Sequence, residues 1–128
     1  MVVDSSAMIA VVFEEQDECA YLDTMRANDL SMSASTLLEC RIVALRRSGP
    51  VAEAKVLKLI DALSIDIVPF DEAQAELAAE AYRRYGKGRD KASLNFGDCF
   101  AYALARALSE PLLYKGGDFA RTDVAAAI

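Results

Sequence analysis

Asp4, Glu39, Asp98 and Asp118 are the residues whose types and positions could do chemistry in this chain. Asp4 ends the apolar run Met1-Val2-Val3, where a strand would deliver a carboxylate to a ligand; a helix N-cap or a turn accounts for it equally well. Glu39 lies in a helical stretch with Ile42 and Val43 on the same side, so it borders an apolar face. Its structural alternative is pairing with Arg46 or Arg47. Asp98 has Ala101 and Tyr102 at the same spacing, but Asn95-Phe96-Gly97-Asp98 also has the form of a capping box. Asp118 follows Leu112–Tyr114 and a glycine pair, and capping of a short last helix competes with function there. Asp123 is a weaker candidate of the same kind.

Like charges brought together repel unless a cation neutralises them. All-oxygen ligands suit a hard divalent ion, Mg²⁺ or Mn²⁺. Such an ion can position water and offset charge on a phosphodiester without help from histidine. The chain contains no histidine, which removes histidine triads, histidine bases and most zinc and copper sites.

The elements that must carry these acids can be read from periodicity. Strands are expected at Met1–Asp4, Asp29–Ser33, Ile65–Pro69 and Pro111–Tyr114. Helices are expected over Ala7–Phe13, Glu15–Ala27, Ser35–Arg47 and Val51–Leu63, with Gly49-Pro50 breaking the last two apart. Leu38, Ile42 and Leu45 form the expected core stripe of the third helix. Asp71 opens a further helix, ended by Gly86 and Gly88, and Asn95 opens another that runs to Leu108. Strands alternating with helices predict an α/β fold, a parallel sheet covered on both faces, in which sites form beyond the carboxyl ends of the strands.

The length of 128 residues fits one domain over the whole chain. No apolar run approaches a membrane span, and the start lacks the pattern of a signal peptide, so a cytoplasmic location is expected. Cys19, Cys40 and Cys99 have neither metal nor redox spacing and are expected as buried free thiols. The net charge is −6, yet Arg83–Lys91 reads RRYGKGRDK and carries +4, leaving −10 on the remainder. Arg83, Arg84, Lys87, Arg89 and Lys91 are therefore candidate contacts for a polyanion, although a charge run is more often a solvated face.

MVVDSSAMIAVV, the STLLEC helix, LNFGDCFAYALA and PLLYKGGDFARTDV together resemble a PIN domain of the VapC type over nearly the whole chain. The resemblance implies a three-layer α/β/α sandwich around a parallel sheet, and an endoribonuclease with an acidic pocket for Mg²⁺ or Mn²⁺. It also implies a homodimer held in check by a cognate VapB-like antitoxin that blocks the site. Block by block, Asp4, Asp98 and Asp118 resemble the metal ligands and Glu39 the acid of the LLE helix. Ser6 matches a hydroxyl supporting the first Asp, and Asn95 the residue ordering the pocket wall. The last block leaves Asp118 and Asp123 as rivals.

Other classes compete. A haloacid-dehalogenase-like phosphatase also places Asp after its first strand, but would want an acid or Thr where Ser6 stands. A phospho-receiver would use Lys115, yet Ser33 and Pro69 occupy the ends of the second and third strands. A catalytically weak, dimeric binding module is the non-enzymatic alternative, with Tyr21, Leu22, Met25 and Leu30 as groove candidates and core packing as their ordinary role.

Overall fold

Val2 and Val3 form strand β1, and both side chains are wholly buried, on opposite faces of the sheet. The computed structural model describes residues 1–128, and its elements follow in the order expected of alternating strands and helices. Helices α1 (Ser5–Val12) and α2 (Glu18–Arg26) lead to strand β2 (Ser31–Ser33). Helix α3 (Ala34–Ala62) precedes strand β3 (Asp66–Val68). Helices α4 (Glu72–Tyr85) and α5 (Phe96–Leu108) then lead to strand β4 (Leu112–Leu113) and a 3₁₀ turn, Phe119–Arg121.

All strand pairs are parallel, in the order β3-β2-β1-β4. Val3 and Leu113 pack with α1, α2 and α3, whereas Val2 and Leu112 pack with α4 and α5. This is the three-layer sandwich. The chain steps outward from β1 to β2 and β3, then returns to the other side of β1, so the strand order reverses between β1 and β4. A crevice forms beyond the carboxyl ends at such a reversal. The outer edge of β4 is covered by the C-terminal segment, where Leu112 and Ala126 bridge in parallel.

Local chemistry sets the element ends. Ser33 caps α3 through Ser35 N, and Asp71 caps α4 by accepting from Gln74 N at 2.9 Å. Gly49 interrupts α3 with φ 76° and ψ −163°, a conformation that favours glycine, and Pro50 restarts the helix without needing an N–H partner.

Several expectations change. All four strands are shorter than expected, and α2 begins at Glu18 because Asp17 adopts a left-handed conformation. Gly86 ends α4 in an extended conformation rather than a left-handed one. The reason for glycine there is close approach, since a Cβ would stand 2.4 Å from the Tyr82 carbonyl oxygen. Leu38, Ile42 and Leu45 do not face the core: they are 58%, 45% and 41% exposed, and α3 buries Thr36, Cys40 and Ala44 instead. The two stripes lie on nearly opposite faces of α3, and the small residues of the buried one allow the sheet and α1 to come close. Cys19 is exposed, whereas Cys40 and Cys99 are buried free thiols. Tyr21, Met25 and Leu30 belong to the core and offer no groove.

Candidate active site

Asp4 directly follows β1 at the reversal in strand order. Its backbone N–H donates to the Leu113 carbonyl at 2.9 Å, which ties it to the end of β4. The side chain is 1% exposed. Oδ2 accepts from the Ser6 backbone N–H and from the Ser6 hydroxyl. Ser6 Oγ in turn accepts from Lys115 N at 2.9 Å, so one hydroxyl links both sides of the crevice. Asp4 is thus the N-cap of α1, and its cap bond uses only one oxygen. Oδ1 is buried and has no hydrogen-bond partner. A buried carboxylate oxygen left without a partner is costly, and it marks where a cation would be welcome.

Asp98 shows the same division of labour. Asn95 caps α5 by accepting from Asp98 N at 2.9 Å, and Asp98 Oδ2 accepts from Asn95 N at 2.9 Å. The capping box suggested by the sequence is complete. Structure and function do not compete here, because the box holds one oxygen and fixes the rotamer while Oδ1 remains free. Asn95 therefore positions Asp98.

Glu39 comes from α3 and forms no ion pair; Arg47 pairs with Glu15, and Arg41 with Glu53. Its carboxylate lies directly on the backbone of Gly97 in the first turn of α5. A Cβ at Gly97 would stand 1.8 Å from Glu39 Oε2. Gly97 makes room for the Glu39 carboxylate, a pairing that reasoning from the carboxylates missed. The available signal was a glycine in a first helical turn, where it costs helix stability without an evident return.

The electrostatics join these acids. Burial pushes the Asp4 pKa up to about 7 against the two Ser6 hydrogen bonds, with Asp98 and Glu39 adding to the rise. Asp98 is pushed up to about 6, first by burial and then by Asp118 and Glu39. All four acids named from the sequence thus share one field. Asp118 is exposed and makes no cap bond to the 3₁₀ turn. Asp123 stands apart: Tyr102 Oη donates to Oδ1, while Arg84 and Arg106 each approach Oδ2 at 3.4 Å. The Tyr102 hydrogen bond, ahead of the two arginines, holds its pKa below the usual value. Asp123 is thus engaged by its own partners, whereas Asp118 is the one of the two whose charge reaches Asp98.

No three of the acids converge closely enough to enclose an ion on their own. The donor chemistry nevertheless fits a hard cation: free oxygens on Asp4 and Asp98, two further carboxylates nearby, and two pKa values raised by burial and mutual repulsion. Thr36 Oγ1, one turn before Glu39 on α3, is also buried without a partner. A separate apolar cavity of about 650 Å³, lined by Phe70, Tyr82, Phe96 and Phe100 among others, contains no acid.

The basic run is divided. Arg83 binds Glu76 and Glu80, and Arg84 binds Asp123, so these two are largely neutralised by the protein's own acids. Lys87, Arg89 and Lys91 pair with none. Lys115 does not serve a receiver-like pocket, because its Nζ lies 2.8 Å from Glu15 Oε2.

The PIN domain profile matches residues 1–125. Ribonuclease VapC of Mycolicibacterium smegmatis is 44% identical over 128 residues, covering 98% of each chain. This chain belongs to the PIN-domain family, among its VapC members. Ribonuclease VapC28 of Mycobacterium tuberculosis is 43% identical over 130 residues, covering 100% of this chain and 98% of its own. The PIN fold is seen again in the structure of VapC20 of Mycobacterium tuberculosis, described as a toxin that cleaves the sarcin–ricin loop. That structure superposes with a TM-score of 0.79 over 96% of this chain and 95% of its own, at 17% identity. VapBC2 of Rickettsia felis, solved bound to a promoter DNA fragment, superposes at 0.71 with 13% identity, covering 98% and 94%. In this PIN domain the four acids share one electrostatic field at the crevice, although no three of them close on a common point.

Proposed function

We propose that this PIN domain is a metal-dependent endoribonuclease, the toxin of a toxin–antitoxin pair, with Asp4, Glu39, Asp98 and Asp118 as its catalytic acids. The observation that carries the reading is Asp4 itself: a buried carboxylate at the strand-order reversal, with one oxygen fixed by Ser6 and the other without a partner. Asp4 and Asp98 would hold Mg²⁺ or Mn²⁺ through their free oxygens, with Asp118 at the open side. A divalent ion bound there supplies charge neutralisation at the scissile phosphate and lowers the pKa of water. Ser6 and Asn95 keep the two aspartates in their orientations, so ligand geometry is set before RNA arrives. Glu39, unpaired and fixed over Gly97, is placed to accept a proton from the attacking water as the bond to the leaving oxygen breaks.

The protein functions as a homodimer in the cytoplasm, and a VapB-like antitoxin covers the acid crevice. The VapBC and toxin–antitoxin complexes among its structural neighbours support the antitoxin's part in this reading. No helix is long and apolar enough to cross a membrane.

Total bacterial RNA incubated with the purified protein and mapped by its new 5′ ends tests the function. Discrete cuts that appear with Mn²⁺, vanish in EDTA and are absent with Asp98→Asn support it. Cuts that persist in EDTA or with Asp98→Asn refute it.

A further inference from the structure

Three of the chain's unpaired cations, Arg89, Lys91 and Arg121, share one shallow, open cleft. With Gly88 and Asp90 they line a polar space of about 600 Å³ that contains no hydrophobic side chain. None of the three lies within ion-pair distance of a carboxylate, in contrast to Arg83, Arg84 and Arg106. Asp90 is the single acid in the lining, and its Oδ1 is engaged by the Ala92 backbone N–H at 2.9 Å.

The walls are built rather than loose. Gly86 and Leu94 form a parallel bridge at the neck of the loop, and Arg89 N and Asp90 N both donate to Gly86 O, at 2.9 and 3.1 Å. Gly88 supplies the positive φ of 82° that turns the chain there. On the other wall, Phe119 is 2% exposed and anchors the 3₁₀ turn that carries Arg121, while Thr122 donates to Phe119 O through both N and Oγ1.

Each wall also leads into the acid crevice. The loop runs directly into Asn95 and the first turn of α5, which carries Asp98. The 3₁₀ turn follows Asp118 directly. Two chain segments that adjoin acids, one leading into Asp98 and one following Asp118, therefore carry free cations. We propose that this cleft binds the phosphodiester backbone of the RNA substrate outside the scissile phosphate, with Arg121 as a contact alongside Arg89 and Lys91. This rests on the nuclease reading and adds a track for the strand. Phosphates drawn toward four carboxylates are repelled unless cations flank the site, and the body of the molecule carries excess negative charge. Arg83 and Arg84, already engaged by internal acids, contribute little to this track.

The test measures binding of a short fluorescein-labelled single-stranded RNA across a salt series, in the Asp98→Asn background so that no cleavage intervenes. Each phosphate contact contributes about 0.7 to the slope of log affinity against log salt for a single strand, so Arg89→Gln, Lys91→Gln, Arg121→Gln together should flatten it by about 2. Between 50 and 200 mM salt the unsubstituted cleft should then lose affinity by a factor about twenty larger than the triple variant does. Arg83→Gln with Arg84→Gln should change the slope by less than one contact. A triple variant, folded by circular dichroism, with unchanged affinity and slope overturns the proposal, and so does an equal effect from the Arg83 and Arg84 pair. Absence of RNA binding before any cleft substitution also overturns it. Cleavage by the wild type distinguishes the two claims. Cuts with an unaltered slope in the triple variant remove the track and keep the nuclease. A slope that depends on the cleft, without cuts under any metal, keeps the track and removes the nuclease.

Discussion

Gly97→Ala separates the stability of the fold from the placement of its acids. The added Cβ would stand 1.8 Å from Glu39 Oε2, 2.7 Å from Cδ and 3.1 Å from Oε1. Ordinary contact begins at about 3.4 Å, so the Glu39 carboxylate must retreat by about 1.6 Å. The clash is with the far end of a flexible side chain, so Glu39 can swing aside at little cost. Alanine is also the better helix former, by up to about 1 kcal/mol in a helix interior. Stability should therefore stay within about 1 kcal/mol of wild type, measured by urea unfolding. Activity should not survive as well. A displacement on the order of 1 Å in a catalytic group costs about a hundredfold in rate, and RNA cleavage should fall by that order. Full cleavage by a stable Gly97→Ala protein would show that the position of Glu39 does not matter to the chemistry.

Other outcomes follow from the same geometry. Ser6→Ala removes the hydroxyl shared by Asp4 Oδ2 and Lys115 N, and should weaken Mn²⁺ affinity by about tenfold to a hundredfold; unchanged affinity would demote Ser6 to an ordinary cap residue. Asp118→Asn should lower cleavage with little change in unfolding. Asp123→Asn should leave cleavage intact but destabilise by up to about 1 kcal/mol, because the half-exposed Arg84 and Arg106 lose a charged partner while the amide oxygen can still accept from Tyr102; the reverse pattern would exchange the two roles. In EDTA, Asp4 and Asp98 hold protons in the folded state that the unfolded chain has released, since their pKa values rise from 3.8 to about 7 and about 6. Stability should therefore fall as pH rises from about 5 to 7.5, and Mn²⁺ should restore it at the upper end. A urea midpoint that climbs over this window without metal would contradict the raised values.

Much of this was legible because the signals were local. Alternating strands and helices fixed the layered class, Gly49-Pro50 marked the break in α3, and Asn95 and Asp98 announced their capping box. Asp4 and Asp98 were ambiguous between cap and ligand because each caps with one oxygen and leaves the other free, and a sequence cannot divide a carboxylate. The stripe Leu38, Ile42, Leu45 misled because periodicity finds an apolar face without saying which face meets the sheet. Long-range pairing was equally hidden. Nothing local tells that Tyr102 would engage Asp123, or that Arg121 would join Arg89 and Lys91 across a cleft, whereas the pairing of Arg83 with Glu76 and Glu80 lay within one helix and was open to reading. Gly97 was quoted within its motif, but its meaning depends on a side chain 58 residues earlier in the chain.

Calorimetric titration of Mn²⁺ at about pH 6.5, in two buffers of different ionisation enthalpy, bears most directly on whether the crevice is a cation site. Binding should release protons, because Asp4 and Asp98 are partly protonated there until the ion takes their place, and Asp4→Asn should weaken binding and reduce that release. No binding by the folded wild type, or binding that Asp4→Asn leaves intact, would contradict the assignment of Asp4 as the ion's principal ligand.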